Sequence, residues 1–325
     1  MCVPRVPQYE INGKPHSTLV LGTSQLGMKY GWANTTGCPS EEEAILILKK
    51  AIELGVTHVD TARAYGESEQ RIGLVMEKGY HNVLNIITKL DPLESLPLDA
   101  AEDWVRAAVD ASVFHSCRDL RKPHLDVLLL HRASHLDNYR RSIWKRLCEL
   151  KEQGVIGELG VSVQSLDEAK RALVNPDVRY IQIPFNILDR RWLEFDFQNL
   201  LKTRPDVIVH ARSLLLQGVL TIEDPSEWPQ VPRVEPLKII LKLRLLAKRF
   251  RRRDVIDLAL AYARGQKWLH GFVVGVETVE QLIDIAKLMS TAPLTSEECK
   301  VVEDNIPGGP EMLVNPALWP PKRNV

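Results

Sequence analysis

No stretch of the 325-residue chain holds about 18 consecutive apolar residues, so nothing in it reads as a membrane-spanning helix. The opening segment MCVPRVPQYE has no apolar core of signal-peptide length, and the expected location is cytoplasmic. Net charge is missing too: 42 Lys+Arg face 42 Asp+Glu. That balance argues against nucleic acid or an anionic membrane as the main partner. The five cysteines (Cys2, Cys38, Cys117, Cys148 and Cys299) form no CxxC pair and read as free thiols of a reducing compartment. His131 and His135 stand four apart, as two metal ligands on a helix would, but no carboxylate or thiolate cluster accompanies them and no metal is expected. The nucleotide fingerprints GxGxxG and GxxxxGK[ST] do not occur.

What the chain does contain is alternation. Eight short apolar runs read as strands: 19–22, 56–60, 84–88, 126–130, 157–162, 180–183, 207–210 and 271–275. A helical pattern follows each, over 41–54, 68–78, 99–118, 137–153, 166–174, 190–203, 237–263 and 279–288. Ser40-x-x-Glu43, Ser165-x-x-Glu168 and Thr278-x-x-Gln281 have capping-box spacing at helix starts. Strand–helix alternation implies parallel strands, and eight units imply an α/β fold closed as a (β/α)8 TIM barrel. Asn12-Gly13 reads as a hairpin turn that plugs the barrel floor. One domain spans 1–325, with its core over about 18–290 and an extended, Pro- and Gly-rich C-terminal arm over 291–325. Leu313, Leu318 and Trp319 suggest that the arm docks on the body. The run KRFRRRD (248–254) ends the amphipathic stretch IILKLRLLAKRF (239–250) and reads as a solvated helix end, where cations suit the C-terminal dipole. His58, His124 and His210 read as strand or turn residues with satisfied partners.

In such a barrel the C-terminal strand ends open on one face, where side chains from different strands converge. HVDTARAYGESE (58–69) leaves an apolar strand and turns polar at once, with Asp60 at the strand end and Tyr65 in the loop. Lys89 ends the next strand in IITKL, and His131 the one after in LLLHRA. Ser162, Gln182, Asn186, Arg212 and Ser213 follow on later strands. A tyrosine is a poor acid at neutral pH, and a neighbouring ammonium stabilises its phenolate. A carboxylate keeps that ammonium charged and in place. A histidine alongside donates a hydrogen bond to a substrate oxygen. Such a set suits protonation of a carbonyl oxygen as hydride reaches its carbon.

On these motifs the chain resembles the aldo-keto reductases. HVDTARAYGESE is similar to that family's DTAxxYGxSE signature, IITK to its catalytic-lysine strand, and DVLLLH to its strand ending in histidine. LVLGTSQLG, GVS, IQIPFN and VVGVETVEQL extend the likeness over roughly residues 18–290, and HARS and VGVE mark a subgroup. The resemblance implies reversible carbonyl reduction with NADP(H) or NAD(H), a small-molecule carbonyl substrate, and a monomer or weak homo-oligomer. It assigns Tyr65 as general acid, Lys89 as its assisting ammonium, Asp60 as the lysine's counter-charge, and His131 as the residue that orients the carbonyl. Gly22 and Thr23 match the nicotinamide end of the cofactor cleft, which Asp60 also borders. Ser162 and Gln182 match the carboxamide contacts, and Ser213 and Leu215 the loop near the pyrophosphate. Gly275, Val276, Glu277, Thr278, Gln281 and Leu282 match the loop and helix start that hold the adenosine phosphate, and a helix N-terminus is an anion site on physical grounds as well.

Three departures stand out. The family's GxSN reads Gly160-Val161-Ser162-Val163, so one amide donor is missing. Arg212 replaces an aromatic that stacks on the nicotinamide. GVETVEQL has no Lys or Arg for a 2′-phosphate and offers Glu277 instead, so weakened discrimination between NADPH and NADH is expected. Tyr30 and Trp32, in the loop after the first strand, line the substrate pocket or pack the loop. Two rival functions are a non-catalytic nicotinamide-binding sensor or subunit, and a Schiff-base lyase acting through Lys89.

Overall fold

The computed structural model describes residues 5–11, 13–80 and 83–321. Ten strands form: β1 (Gln8–Ile11), β2 (Lys14–Ser17), β3 (Leu19–Gly22), β4 (His58–Asp60), β5 (Asn85–Lys89), β6 (Leu125–Leu130), β7 (Ile156–Ser162), β8 (Tyr180–Pro184), β9 (Ile208–Arg212) and β10 (Gly271–Gly275). β3 to β10 pair in sequence order, and β10 pairs with β3 to close the barrel. Every barrel pairing is parallel, as the alternation of elements required.

Strand sequence and packing correspond closely. Parallel barrel strands are covered on both faces, so they read as continuous apolar runs. Successive side chains still point to opposite faces. Val127 and Leu129 join Val20, Ile87, Tyr180 and Ile208 inside the barrel, while Leu128 and Leu130 join the larger cluster beneath the helices. β1 and β2 form the expected N-terminal hairpin, with Ile11 opposite Lys14; the turn residue Asn12 lies outside the described residues. The hairpin covers the barrel floor, where the His16 ring stacks on His58 at 3.8 Å and its Nε2 lies 3.1 Å from His210 Nε2. The expected partners are found: His58 Nδ1 meets Thr57 Oγ1 at 2.8 Å, His124 Nε2 lies 3.5 Å from Asp126 Oδ1, and His210 has His16, although its Nδ1 is buried without a partner.

Helix starts follow the capping chemistry with one exception. Ser40/Glu43 and Ser165/Glu168 make both bonds of the box. Thr278 accepts from Gln281 N, but the Gln281 side chain accepts from Glu277 N, one residue earlier than a box requires. The expected 237–263 helix is two, Pro236–Arg249 and Val255–Gly265. Arg251 adopts φ +53°, and Asp254 caps the second helix through Asp257 N. The basic run therefore closes the first helix, with Lys248 and Arg249 in its last turn as expected, and Arg251–Asp254 form the junction to the second. The extended arm also starts later than expected. Thr295 and Glu298 form a third complete capping box, and Ser296–Asn305 is a helix that buries Cys299 and Val302. Only beyond it does the chain run in short turns, with Leu313 and Val314 buried and Trp319 edge-on to Trp32 at 5.1 Å. Among the described residues no helix is long and apolar enough to cross a membrane.

Candidate active site

The polar cluster after β4 serves two purposes. One group of its residues braces the loop. Thr23 Oγ1 donates to Asp60 O at 2.9 Å, Ser68 Oγ to Thr23 Oγ1 at 2.7 Å, and Thr61 Oγ1 to Ser68 Oγ at 2.9 Å, which locks the ends of β3 and β4 together. Arg63 bridges Glu69 at 2.7 Å and Asp119 at 2.6 Å, and Thr88 Oγ1 donates to Glu69 Oε1 at 2.6 Å. Glu69 is 1% exposed and would be costly there without these partners. Gly27 lets the loop come close: a Cβ there would collide with Tyr65 O and Ser68 N. Gly66, at φ +56°, sits against Gly27 O.

The second group is Asp60 and Tyr65. Asp60 accepts from Lys89 Nζ at 2.7 Å through Oδ1 and from Gln182 Nε2 at 2.6 Å through Oδ2. Lys89 Nζ also donates to Thr61 O at 2.8 Å and is 1% exposed. Burial opposes its charge, but Asp60 and Tyr65 together outweigh burial and hold the lysine pKa above its ordinary value. The Tyr65 ring lies 5.0 Å from Lys89 Nζ, and the His131 ring meets Tyr65 edge-on at 5.8 Å. Burial, then the charges of Lys89, Arg212 and Arg132, push the His131 pKa down to about 3. The imidazole is neutral at physiological pH and keeps one N–H to donate.

From this centre a cleft of about 360 Å³ runs along the mouth. Its walls include Gly22, Thr23, Tyr30, Asp60, Tyr65, Arg212, Ser213, Leu215, Gly275, Val276, Glu277 and Gln281. Burial first, and the neighbouring Tyr65, raise the Tyr30 pKa, so its hydroxyl stays protonated. Lys89, His131, Ser162 and Gln182 are not among the residues that line it; Ser162 and Gln182 are register partners on β7 and β8, and Gln182 Oε1 is a buried acceptor with no partner. At the far end of the cleft the helix Val279–Met289 begins.

Several expected contacts have other roles. Thr23 spends its hydroxyl on the β3–β4 lock. Thr278 caps the helix, and Leu282 lies in the core because it occupies the helix's inner face. Trp32 does not line the cleft; its indole N–H donates to Glu227 O at 2.7 Å and its ring meets Trp319. Arg212 is not free to swing: Nη2 donates to Val163 O at 3.2 Å and Gln164 Oε1 at 2.9 Å. Sequence reasoning missed the strap across the cleft. Gln217 O accepts from Trp32 N at 3.0 Å and Ala33 N at 3.2 Å, Gln217 Nε2 donates to Tyr30 Oη at 3.3 Å, and Thr36 Oγ1 donates to Glu277 Oε2 at 2.9 Å. Arg253 and Asp284 were missed as well; both line the cleft and pair with each other at 2.7 Å.

Comparison with known proteins gives one family. Residues 18–306 match the model of the Aldo/keto reductase family. The oxidoreductase YqkF of Bacillus subtilis is 25% identical over 302 residues, covering 88% of this chain and 95% of its own length. The aldo-keto reductase AKR11C1 of Bacillus halodurans, in its holo form, superposes with a TM-score of 0.74 at 23% identity, covering 94% of this chain and 97% of its own. An aldo-keto reductase from Klebsiella pneumoniae in complex with NADPH gives a TM-score of 0.68 at 18% identity, covering 96% and 99%.

Proposed function

The chain belongs to the aldo/keto reductase family, and we propose that it reduces an aldehyde or ketone to the alcohol with NADP(H) as cofactor, NAD(H) being accepted as well. The observation that carries this reading is the buried Asp60–Lys89 pair set against Tyr65 and His131. An ion pair so deep is a poor source of stability, because desolvation offsets its attraction. Its value here is chemical. The bound cofactor supplies the hydride. Ser162 and Gln182 hold the carboxamide, with the unpartnered Gln182 Oε1 as acceptor, and the helix start after β10 receives the adenosine phosphate. The neutral His131 donates to the carbonyl oxygen and orients it. Tyr65 gives that oxygen its proton, and the Lys89 ammonium stabilises the phenolate left behind. Asp60 keeps Lys89 charged and aimed.

The test is Tyr65→Phe, which keeps the ring and removes the proton. Cofactor binding, followed by fluorescence, should survive, while aldehyde reduction falls at least about 10²-fold. Near wild-type turnover would refute the assignment of the acid. Borohydride treatment with substrate separates the lyase reading, which requires trapping at Lys89.

A further inference from the structure

Arg212 carries a charge without a counter-charge. It ends β9 and lines the cleft with Tyr30 and Tyr65. Its guanidinium meets Val163 O, Gln164 Oε1 and, at 3.4 Å, Ser213 Oγ. All three acceptors are neutral, and among the described residues no carboxylate pairs with it. The neighbouring cations are matched: Lys89 by Asp60, and Arg132 by Glu94. The reacting end of the cleft therefore holds one uncompensated positive charge. A guanidinium among neutral dipoles forgoes the Coulomb attraction that usually offsets desolvation, and an arriving anion would supply it.

The direction of the side chain tells which anion. Barrel order runs β7, β8, β9, β10. Val163 and Gln164 follow β7, whereas Gly275 ends β10 and the anion-attracting helix start follows it, on the opposite side of β9. Arg212 thus leans away from the phosphate end and toward the half of the mouth where His131 follows β6. Its charge is felt there, for it is one of the groups that depress His131. A second donor is near: Gln164 Nε2 is buried and has no partner. The guanidinium fork matches carboxylate and phosphate alike, so the choice rests on charge and direction: one cation balances a monoanion, and it points away from the phosphate end, which favours a carboxylate.

We propose that Arg212 is the counter-ion for a carboxylate on the substrate, so that the substrate class is small carbonyl compounds that also bear a carboxylate group. The proposal rests on the carbonyl-reductase reading above. It makes Arg212 a specificity residue; the proton and hydride steps stay with the groups already described.

Succinic semialdehyde and its methyl ester differ in this charge and little else. The readout is the ratio of their kcat/KM values at saturating NADPH, in which any effect of Arg212 on the cofactor cancels. Wild type should favour the acid by about 10- to 100-fold, the scale of one charged hydrogen bond. Arg212→Gln should bring the ratio near one, chiefly through the KM of the acid, and Arg212→Lys should restore part of it. A wild-type ratio at or below one overturns the proposal. So does an unchanged ratio in Arg212→Gln; equal losses for both substrates, with a matching change in NADPH affinity, would assign Arg212 to the cofactor. Binding of 4-hydroxybutyrate to the cofactor-saturated enzyme reports independently of turnover, and equal affinity in wild type and Arg212→Gln also overturns the proposal. If neither aldehyde turns over and Tyr65→Phe changes nothing, the carbonyl-reductase reading itself has failed, and the binding arm still decides the role of Arg212.

Discussion

Replacing Lys89 by methionine separates the two debts of a buried ion pair, one to folding and one to chemistry. The variant leaves Asp60, 4% exposed, with Gln182 Nε2 as its remaining side-chain donor. Stranding one partner of a buried pair costs about 3–5 kcal/mol. For a chain of 325 residues the unfolding entropy is about 0.7 kcal/mol/K, so Tm should fall by about 4–7 °C. Activity should fall at least about 10²-fold, because the phenolate formed on Tyr65 loses its ammonium. A low rate alone would not tell these effects apart. The double variant Lys89→Met with Asp60→Asn does, since it removes the stranded charge as well. Most of the lost Tm should return while turnover stays low. Differential scanning calorimetry and aldehyde-dependent oxidation of NADPH read the two quantities. Recovery of activity in the double variant would show that Lys89 acts through structure alone. An unchanged Tm in the single variant would show that the pair is not sealed from water.

Two further predictions concern the ends of the barrel. At the floor, burial is the main cause that lowers His16 to about 4 and His58 to about 3. The unfolded chain binds these protons from about pH 6.5 downward, so stability should be lost as pH falls through that window, by on the order of 2 kcal/mol per histidine at pH 5; urea midpoints at pH 8 and pH 5 measure the loss, His58→Phe should reduce it, and equal midpoints for wild type would contradict it. At the end of the cleft proposed to take the adenosine, Arg253 is neutralised by Asp284 and Asp254, and Glu277 adds a further carboxylate. Wild type should prefer NADPH over NADH by less than about 100-fold, near 2.7 kcal/mol, and Glu277→Lys should raise that preference; fluorescence titration of both cofactors tests it, and no change in the ratio would place the 2′ position elsewhere.

The legible parts of the molecule were those written in local pattern. Strand runs such as LVLG and DVLLL announce themselves because parallel barrel strands are apolar on both faces, and Asp60, Tyr65, Lys89 and His131 stand at fixed offsets from them. What was hidden depends on distant partners or on backbone angles. His16, His58 and His210 come from three remote segments, and no spacing reveals that they stack. The break at Arg251 needs a positive φ that arginine does not advertise. Gly27 and Gly66 look like ordinary turn residues until the two backbones meet. Thr295 with Glu298 was a readable start signal, outweighed by the prolines and glycines after residue 306. Trp32 showed that it was a large aromatic in a mouth loop, but not that it turns outward to Trp319.

The described segments nearest the two ends of the chain also sit at opposite poles. Near the N-terminus, Tyr9 anchors through His270 O below the barrel, while Trp319 near the other end leans on the loop that straps the cleft. Cargo attached at the front would hang from the sealed base and leave traffic through the entrance undisturbed. Cargo attached at the back would tug on the doorframe. For anyone building fusions, immobilised catalysts or reporters from this chain, the polarity is a wiring diagram: the leading end is the handle, and the trailing end is the throttle.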